Sequence, residues 1–161
     1  MPSNKKNKSE AKRQSIVIEN RKARHDYFIE DSVTCGIVLS GTEVKSIRSG
    51  KAQLRDSFAK IEKGEAWLYN CHISPYQFGN RFNHNPLRKR KLLLNKKEIL
   101  KLLGKTKEKN LILVPLKIFF NNNWAKLELG FGKGKKVYDK REAIKKKELQ
   151  RTIKEVKSKY T

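Results

Sequence analysis

Short apolar runs, mostly alternating or β-branched, recur between residues 16 and 132 and predict a mainly β protein. Lys63-Gly64-Glu65 and Asn121-Asn122-Asn123 are typical of hairpin turns, and Pro115 inside a long run indicates a strand edge or a bulge. Six or seven short strands with few helices predict a small antiparallel OB-like β-barrel. We expect strands over residues 16–18, 25–30, 35–39, 57–62, 66–70, 111–120 and 124–131.

Two short helices are predicted between these strands. The first covers residues 42–49, where apolar residues fall three apart, Thr42 is placed to cap the first turn and Gly50 follows the last. The second covers residues 96–103. Asn95 and Glu98 have the capping-box spacing in front of it, and Gly104 should end it.

The pattern changes after residue 132. Glycines at 130, 132 and 134 predict a flexible exit from the barrel, and Asp139 with Glu142 repeats the capping-box spacing. A thin apolar stripe then follows on a basic helix, formed by Leu149, Ile153, Val156 and Tyr160. A helix with so little apolar surface is marginal in water. We therefore predict a tail that is disordered alone and becomes helical on a partner.

Positive charge is concentrated in three parts of the chain. The sequence has 39 Lys and Arg against 16 Asp and Glu, a formal charge of +23. Residues 1–24 contribute +6, residues 25–130 contribute +9 and residues 131–161 contribute +8. Within the middle part, residues 88–109 hold ten basic and two acidic side chains. A nearly neutral body with one basic patch and two basic arms indicates a polyanionic partner, and for so basic a protein this is most often nucleic acid.

Catalytic and metal-site patterns are missing from the sequence. The three histidines are scattered, and the glycines before Lys135 lack the spacing of a phosphate-binding loop. Cys35 and Cys71 stand far apart, as core residues of a reduced, cytoplasmic protein would. No stretch approaches the roughly 20 apolar residues of a membrane span. We predict no enzyme, no cofactor, no metal and no membrane partner.

Aromatic residues accompany the basic patch. Tyr76, Phe78 and Phe82 lie in a polar loop over residues 74–87, directly before Arg88. Their rings could stack on unpaired bases, or they could equally hold the loop to the core. The basic run itself could be a generic solvated face. Tyr138 has no core to join, and this favours a stacking role for its ring.

Five segments, in the same order along the chain, resemble the bacterial SsrA-binding protein (small protein B) family, over residues 16 to 145. They are Asn20-Arg21-Lys22-Ala23-Arg24-His25, Gly41-Thr42-Glu43-Val44-Lys45-Ser46, Arg90-Lys91-Leu92-Leu93-Leu94, Val114-Pro115-Leu116 and Gly134-Lys135-Lys136-x-Tyr138-Asp139-Lys140-Arg141. The resemblance implies an OB-like barrel in a non-enzymatic RNA-binding adaptor, expected as a monomer. Such an adaptor binds the tRNA-like domain of transfer-messenger RNA and delivers it to stalled ribosomes for rescue by trans-translation.

The alternative is a ribosomal structural protein that binds rRNA, since such proteins share basic tails and a small β domain. Under the adaptor hypothesis, residues 1–14 form a disordered basic arm and 15–134 the OB-like RNA-binding barrel. Residues 135–161 form a basic tail that becomes helical on the ribosome, where it enters the empty messenger channel near the decoding centre and contacts small-subunit rRNA.

The resemblance and the basic run together give the expected RNA-binding residues. Glu43 would order a neighbouring Arg or Lys, and Asn95 could bond a base or sugar unless it is used as a helix cap. Tyr138, where many members carry His, would stack on a base of the decoding centre. For the tRNA-like domain the residues are Arg21, Lys22, Arg24, His25, Glu43, Lys45, Arg48, Lys51, Arg88, Arg90, Lys91, Leu93, Asn95 and Lys126. For the ribosome-binding tail they are Gly134, Lys135, Lys136, Tyr138, Asp139, Lys140, Arg141, Lys145, Lys146 and Lys147.

One position departs from the family pattern. Some members carry an acidic residue assigned to RNA binding two positions before Gly36, where this chain has Thr34. A hydroxyl can still donate or accept a hydrogen bond, so the contact should differ rather than vanish. Thr34 is therefore left out of the expected site.

Overall fold

The computed structural model describes residues 15–79 and 82–159, so the arm predicted over 1–14 lies outside the described residues. The strands are β1 (Ser15–Glu19), β2 (Tyr27–Ile37), β3 (Ala52–Gln53), β4 (Phe58–Glu62), β5 (Glu65–Tyr69), β6 (His72–Ile73), β7 (Arg90–Leu93), β8 (Ile112–Asn121) and β9 (Trp124–Gly134). The helices are α1 (Arg21–Asp26), α2 (Gly41–Arg48), α3 (Lys96–Glu108) and α4 (Val137–Lys159).

The antiparallel strands close on themselves. β8 pairs with β9 along one edge and with β4 and β1 along the other. From β4 the pairings continue through β5, β7 and β2 back to β9. β3 and β6 form a separate two-stranded sheet. This closed ring of strands confirms the predicted small antiparallel fold with a few short helices.

The core lies inside the ring. Leu68, Ile118 and Leu127 are fully buried there. Cys35 and Cys71 are buried in the same cluster, and burial raises the pKa of Cys35 to about 12 and that of Cys71 to about 11. Both cysteines are therefore protonated, and their place in the core is as predicted.

The hairpin between β8 and β9 follows the prediction. Asn122 and Asn123 have φ of 49° and 70°, the left-handed conformations that a tight two-residue hairpin turn requires. The register of the pair shifts between Pro115 and Lys117, so the bulge, one of the two predicted alternatives, is confirmed. At this bulge the Asn20 side chain donates to the Pro115 carbonyl at 2.9 Å. The segment before α1 is thereby fixed to the ring.

Residues 25–39 differ from the prediction of two strands. A short helix, α1, ends at Asp26, and a single strand runs from Tyr27 to Ile37. The polar residues at 30–32 concealed this continuity because the register with β9 shifts between Ile29 and Asp31 and leaves them at the surface. β7 was also missed, since its first residue is a charged Arg that is nevertheless buried.

The helix boundaries also differ in part. Ser40 caps α2 in a capping box with Glu43, whereas the Thr42 hydroxyl lies 2.9 Å from His84 Nδ1. The predicted capping box of Asn95 and Glu98 opens α3. The helix does not end at Gly104 but continues to Glu108, and the left-handed residue that follows it is Asn110, with φ of 51°.

The glycines after Leu129 are strand residues and not a hinge. A Cβ on Gly132 would lie 3.1 Å from Tyr27 Cβ and 3.2 Å from Val114 Cγ2, so glycine permits the close approach of these neighbours. α4 begins at Val137, so the proposed cap at Asp139 is wrong. The helix covers most of the predicted tail helix, although Tyr160 lies outside the described residues. Disorder of the tail in isolation stays a prediction.

Candidate nucleic-acid interface

A buried carboxylate holds two of the predicted arginines. Glu43 on α2 and Arg90 on β7 have no exposed surface, and Glu43 Oε2 accepts a hydrogen bond from Arg90 Nε. Glu43 Oε1 accepts from Arg88 Nε at 2.9 Å and from the Ser40 N–H at 3.0 Å. Burial raises the pKa of Glu43, but these hydrogen bonds outweigh it and hold the pKa below its ordinary value. The charge-assisted bonds expected of Glu43 are therefore present.

The Arg90 side chain is buried, and its guanidinium is hydrogen-bonded to other groups of the protein. Its guanidinium donates to the carbonyls of Cys71 at 2.7 Å, Arg88 at 3.0 Å and Pro86 at 3.2 Å. The direct RNA contact predicted for Arg90 conflicts with this position, because no part of the side chain reaches solvent. Glu43 is enclosed in the same way. Arg88 keeps about a third of its side chain exposed.

Leu93 and Lys126 lie on either side of Gly36. Gly36 in β2 pairs with Leu93 of β7 and with Lys126 of β9, so the three positions form one row on the ring. Leu93 is 55% exposed. A Cβ at residue 36 would lie 3.2 Å from both Cβ and Cδ1 of Leu93, so glycine leaves the leucine room. The row places an exposed apolar side chain close to a cation.

Two more predicted residues flank this row. Lys91 is half-exposed, and its Nζ lies 3.1 Å from Glu65 Oε1, a surface pair that phosphate could readily replace. Asn95 is exposed, but its Oδ1 accepts from the Glu98 N–H at 2.8 Å and is used as the helix cap. The amide nitrogen of Asn95 is therefore still available as a donor to RNA. We call Lys91, Leu93, Asn95 and Lys126 the Gly36 surface.

The predicted basic residues of α2 are exposed on that helix and just after it. The Arg48 guanidinium lies 4.5 Å from the centre of the buried Phe120 ring. Lys51 is exposed where the helix ends. Arg88 Nη2 lies 3.4 Å from the Val38 carbonyl, two residues beyond Gly36. The cluster of Glu43, Arg88 and Arg90 therefore lies next to the Gly36 surface.

The four predicted residues of α1, which we call the α1 surface, lie elsewhere. Arg21, Lys22, Arg24 and His25 are all exposed. His25 Nδ1 lies 3.0 Å from Asp26 Oδ1. This contact, followed by the charge of Lys140, lowers the pKa of Asp26 against the opposing effect of burial.

The start of the tail is fastened to α1. The Lys135 N–H donates to the Asp26 carbonyl at 2.9 Å, and Lys135 Nζ donates to the Arg24 carbonyl at 3.1 Å. Lys140 Nζ lies 3.2 Å from the Asp26 carboxylate. Of the other predicted tail residues, Gly134, Lys136, Arg141, Lys145, Lys146 and Lys147 are exposed, whereas the side chains of Tyr138 and Asp139 lie outside the described residues.

The predicted set is thus divided between the two ends of β2. Tyr27, next to α1, pairs with Gly134, while Gly36 pairs with Leu93 and Lys126. Nine residues of extended strand separate these points, or roughly 30 Å at about 3.3 Å per residue. The Gly36 surface and the α1 surface with the tail are two regions rather than one.

Trp124 was not among the expected residues. It is 74% exposed and precedes Lys126 by two positions in β9, so both side chains lie on the same face of the strand. The sequence could have indicated this position. Alternate residues of a strand share a face, so the predicted strand over 124–131 already places Trp124 beside Lys126.

Within residues 15–79 and 82–159, no group of three or more His, Cys, Asp or Glu side chains is placed to hold a metal ion. No helix in that part of the chain is both long and apolar enough to cross a membrane.

Comparisons with known proteins give one consistent result. The family model of the SmpB protein matches residues 17–159. The SsrA-binding protein of Carboxydothermus hydrogenoformans is 62% identical over 140 residues, covering 87% of this chain and 94% of the relative. The SsrA-binding protein of Bacillus subtilis is 60% identical over 138 residues, covering 86% and 88%. A solved structure described as "tmRNA-SmpB: a journey to the center of the bacterial ribosome" matches with a TM-score of 0.66 and 52% identity, covering 80% of this chain and 94% of the other.

Proposed function

We propose a function from one established premise: the chain belongs to the SmpB protein family. It is an adaptor of trans-translation that binds transfer-messenger RNA, the SsrA RNA, and acts with it on the ribosome. The observation that carries this function is the match across residues 17–159, which includes both the ring of strands and the basic tail. The same match favours the adaptor over a ribosomal structural protein.

We further propose that the protein performs no catalysis and works in the cytoplasm. The ring of strands binds the tRNA-like domain, with Leu93 and Lys126 of the Gly36 surface in contact with it. The partly exposed lysines there neutralise phosphates, and Leu93 covers an apolar part of a sugar or base. Glu43 and Arg90 act from inside, since they hold Arg88 at the surface.

The tail is assigned to the ribosome. Lys135, Lys136, Lys140 and Arg141, with Lys145, Lys146 and Lys147, follow rRNA near the decoding centre, and Tyr138 stacks on a base there. The bonds between α1 and Lys135 support this division, because they fix the direction in which the tail leaves the ring.

A competition experiment tests the proposal. The full chain is titrated with salt while the tRNA-like domain of transfer-messenger RNA competes with a structured RNA of equal length. We expect a preference of about 100-fold that survives physiological salt, because shape recognition adds to phosphate neutralisation. Equal binding to both RNAs, lost together as salt rises, would show that only the net charge of +23 operates.

A further inference from the structure

We propose that Asp26, the last residue of α1, is a positioning residue that sets the direction in which the tail helix α4 leaves the ring of strands. Its backbone carbonyl holds Lys135 and its carboxylate holds Lys140, so one residue fixes two points at the start of the tail. The inference deepens the proposed function and rests on it, because the direction of the tail matters only if the tail acts on the ribosome.

Asp26 lies where two basic segments of the chain meet. The α1 surface precedes it directly, and β9 leads into the tail beside it, because Tyr27 pairs with Gly134. Residues 20–29 contain no acid other than Asp26, and residues 129–138 contain no acid at all. Like charges at short range repel each other, so two such segments are held together by a negative charge between them. Asp26 supplies that charge.

The carboxylate of Asp26 contacts three side chains that carry or can carry positive charge. Lys140 Nζ lies 3.2 Å from it, His25 Nδ1 lies 3.0 Å from it and Lys22 Nζ lies 3.9 Å from it. The hydrogen bonds of His25 and Lys140 lower the pKa of Asp26 against the opposing effect of burial, so the carboxylate is charged at neutral pH. The Asp26 side chain is 21% exposed and that of Lys140 is 33% exposed. Salt therefore screens this pair less than a fully exposed one.

Lys135 fixes the first point of the tail. Its N–H donates to the Asp26 carbonyl at 2.9 Å, which extends the ladder between β2 and β9 by one bond beyond Tyr27 and Gly134. Its Nζ donates to the Arg24 carbonyl at 3.1 Å, at the end of α1. A cation is favoured there, because the last carbonyls of a helix carry partial negative charge.

Lys140 fixes the second point, in the first turn of α4. A helix held at one point can swing about it, whereas two points five residues apart define where its axis begins to run. The apolar residues further along α4, Leu149, Ile153 and Val156, are exposed and do not fix this direction. Disorder of the later turns in isolation is compatible with the proposal, because only the first turn is held. A tail that starts in the right direction loses less entropy on binding.

Distances between two spin labels test the direction of the tail without any RNA. One label is attached at Lys60→Cys on β4 and the other at Lys145→Cys on α4 in the full-length chain. Cys35 and Cys71 are buried with raised pKa values, so the labels react with the introduced cysteines. Double electron–electron resonance then gives the distribution of the distance between the labels.

Four substitutions are compared in this labelled background. Asp26→Asn and Lys140→Gln each remove one charge of the pair and should broaden the distribution. Asp26→Glu keeps the charge and should leave it narrow. Asp56→Asn is the matched control, because Asp56 pairs with Lys22 at 3.3 Å and with Arg55 at 3.7 Å but not with the tail. Equal widths for the unsubstituted chain and Asp26→Asn overturn the proposal, as does equal broadening by Asp56→Asn. Unchanged unfolding midpoints establish that the variants are folded.

Two titrations connect the direction of the tail to function. Unlabelled variants are measured against the isolated tRNA-like domain and against ribosomes stalled on a message without a stop codon. Asp26→Asn should weaken binding to stalled ribosomes roughly 2- to 5-fold relative to Asp56→Asn, because a partly exposed ion pair shifts an equilibrium by about that factor. Affinity for the tRNA-like domain should be the same for both variants.

Equal loss in the two titrations, or no loss on ribosomes, overturns the positioning role. Failure of the proposed function is distinguishable from this result. It would appear in the unsubstituted chain as equal binding to the tRNA-like domain and to a structured RNA of equal length, whatever the label distances show.

Discussion

At the scale of single residues, Glu43 shows how a buried charge is kept in a protein. Its carboxylate accepts hydrogen bonds from Arg88, Arg90 and the Ser40 N–H, so the cost of burial is offset by donors on both oxygens. The cluster joins α2, β7 and the residues just before β7. Removing the carboxylate would leave the Arg90 guanidinium charged and buried without its counter-charge.

Glu43→Gln should lower the free energy of unfolding by about 3 kcal/mol, since it leaves a buried guanidinium without its counter-charge. Urea unfolding at pH 7 measures the change. Glu30→Gln is the matched control, because Glu30 forms only an exposed pair with Lys109 at 3.7 Å and should cost less than about 1 kcal/mol. Equal effects of the two substitutions would contradict a structural role for the cluster.

The same carboxyl gives the protein a pH dependence. The native pKa of Glu43 lies below the ordinary value of 4.5, so the unfolded chain binds its proton first as the pH falls. Stabilisation by Glu43 is therefore complete above about pH 4.5 and is lost as the pH falls below that value through the native pKa. Unfolding curves between pH 6 and 3 should show a smaller decline for Glu43→Gln than for wild type. Parallel declines would exclude this group as the cause.

Lys126 offers a test of the Gly36 surface. Lys126→Ala should weaken binding to the tRNA-like domain and reduce the slope of log affinity against log salt by about one, as expected for one lost phosphate contact. Lys60→Ala removes an equal charge from β4, outside the expected RNA-binding set, and serves as the control. A slope that changes equally in both variants would mean that only net charge was lost.

At the scale of elements, a glycine weakens helix α3 but is required in strand β9. Gly104 lies inside α3, and a Cβ there would have no neighbour within 4 Å. Gly104→Ala should stabilise the protein by about 0.5–1 kcal/mol, because alanine favours the helix. Gly132→Ala should destabilise it by about 1–3 kcal/mol, because the new Cβ meets Tyr27 and Val114 at 3.1–3.2 Å. Urea midpoints that shift in the same direction would refute this assignment.

The sequence predicted features that depend on neighbouring residues better than features that depend on the folded structure. Hairpins and capping boxes depend on neighbouring residues, so the turn at Asn122 and Asn123 and the cap at Asn95 were predicted correctly. Gly104 was assigned wrongly, because α3 continues past it to Glu108. The role of Gly132 depends on Tyr27 and Val114, which are distant in sequence, and was also assigned wrongly. Arg90 was misassigned for the same reason, because only the fold brings Glu43 to it across 47 residues of sequence.

At the scale of the whole molecule, two basic regions lie at opposite ends of β2. The Gly36 surface occupies one end, and α1 with the start of the tail occupies the other. α4 leaves the ring as a helix of 23 residues whose apolar side chains, including Leu149, Ile153 and Val156, are exposed. This separation supports the proposed division of contacts between the ring of strands and the tail.

Truncation after Gly134 tests whether binding to the tRNA-like domain and action on the ribosome use different parts of the chain. The ring is complete without the tail, since β9 ends at Gly134. Affinity for the tRNA-like domain should stay largely intact, whereas rescue of stalled ribosomes should be lost. Lys135→Ala in the full chain is the companion variant, because it removes the bond from Lys135 Nζ to the Arg24 carbonyl but keeps α4. If truncation reduced RNA affinity as strongly as rescue, the tail would belong to the RNA-binding unit, and the division between the ring of strands and the tail would be wrong.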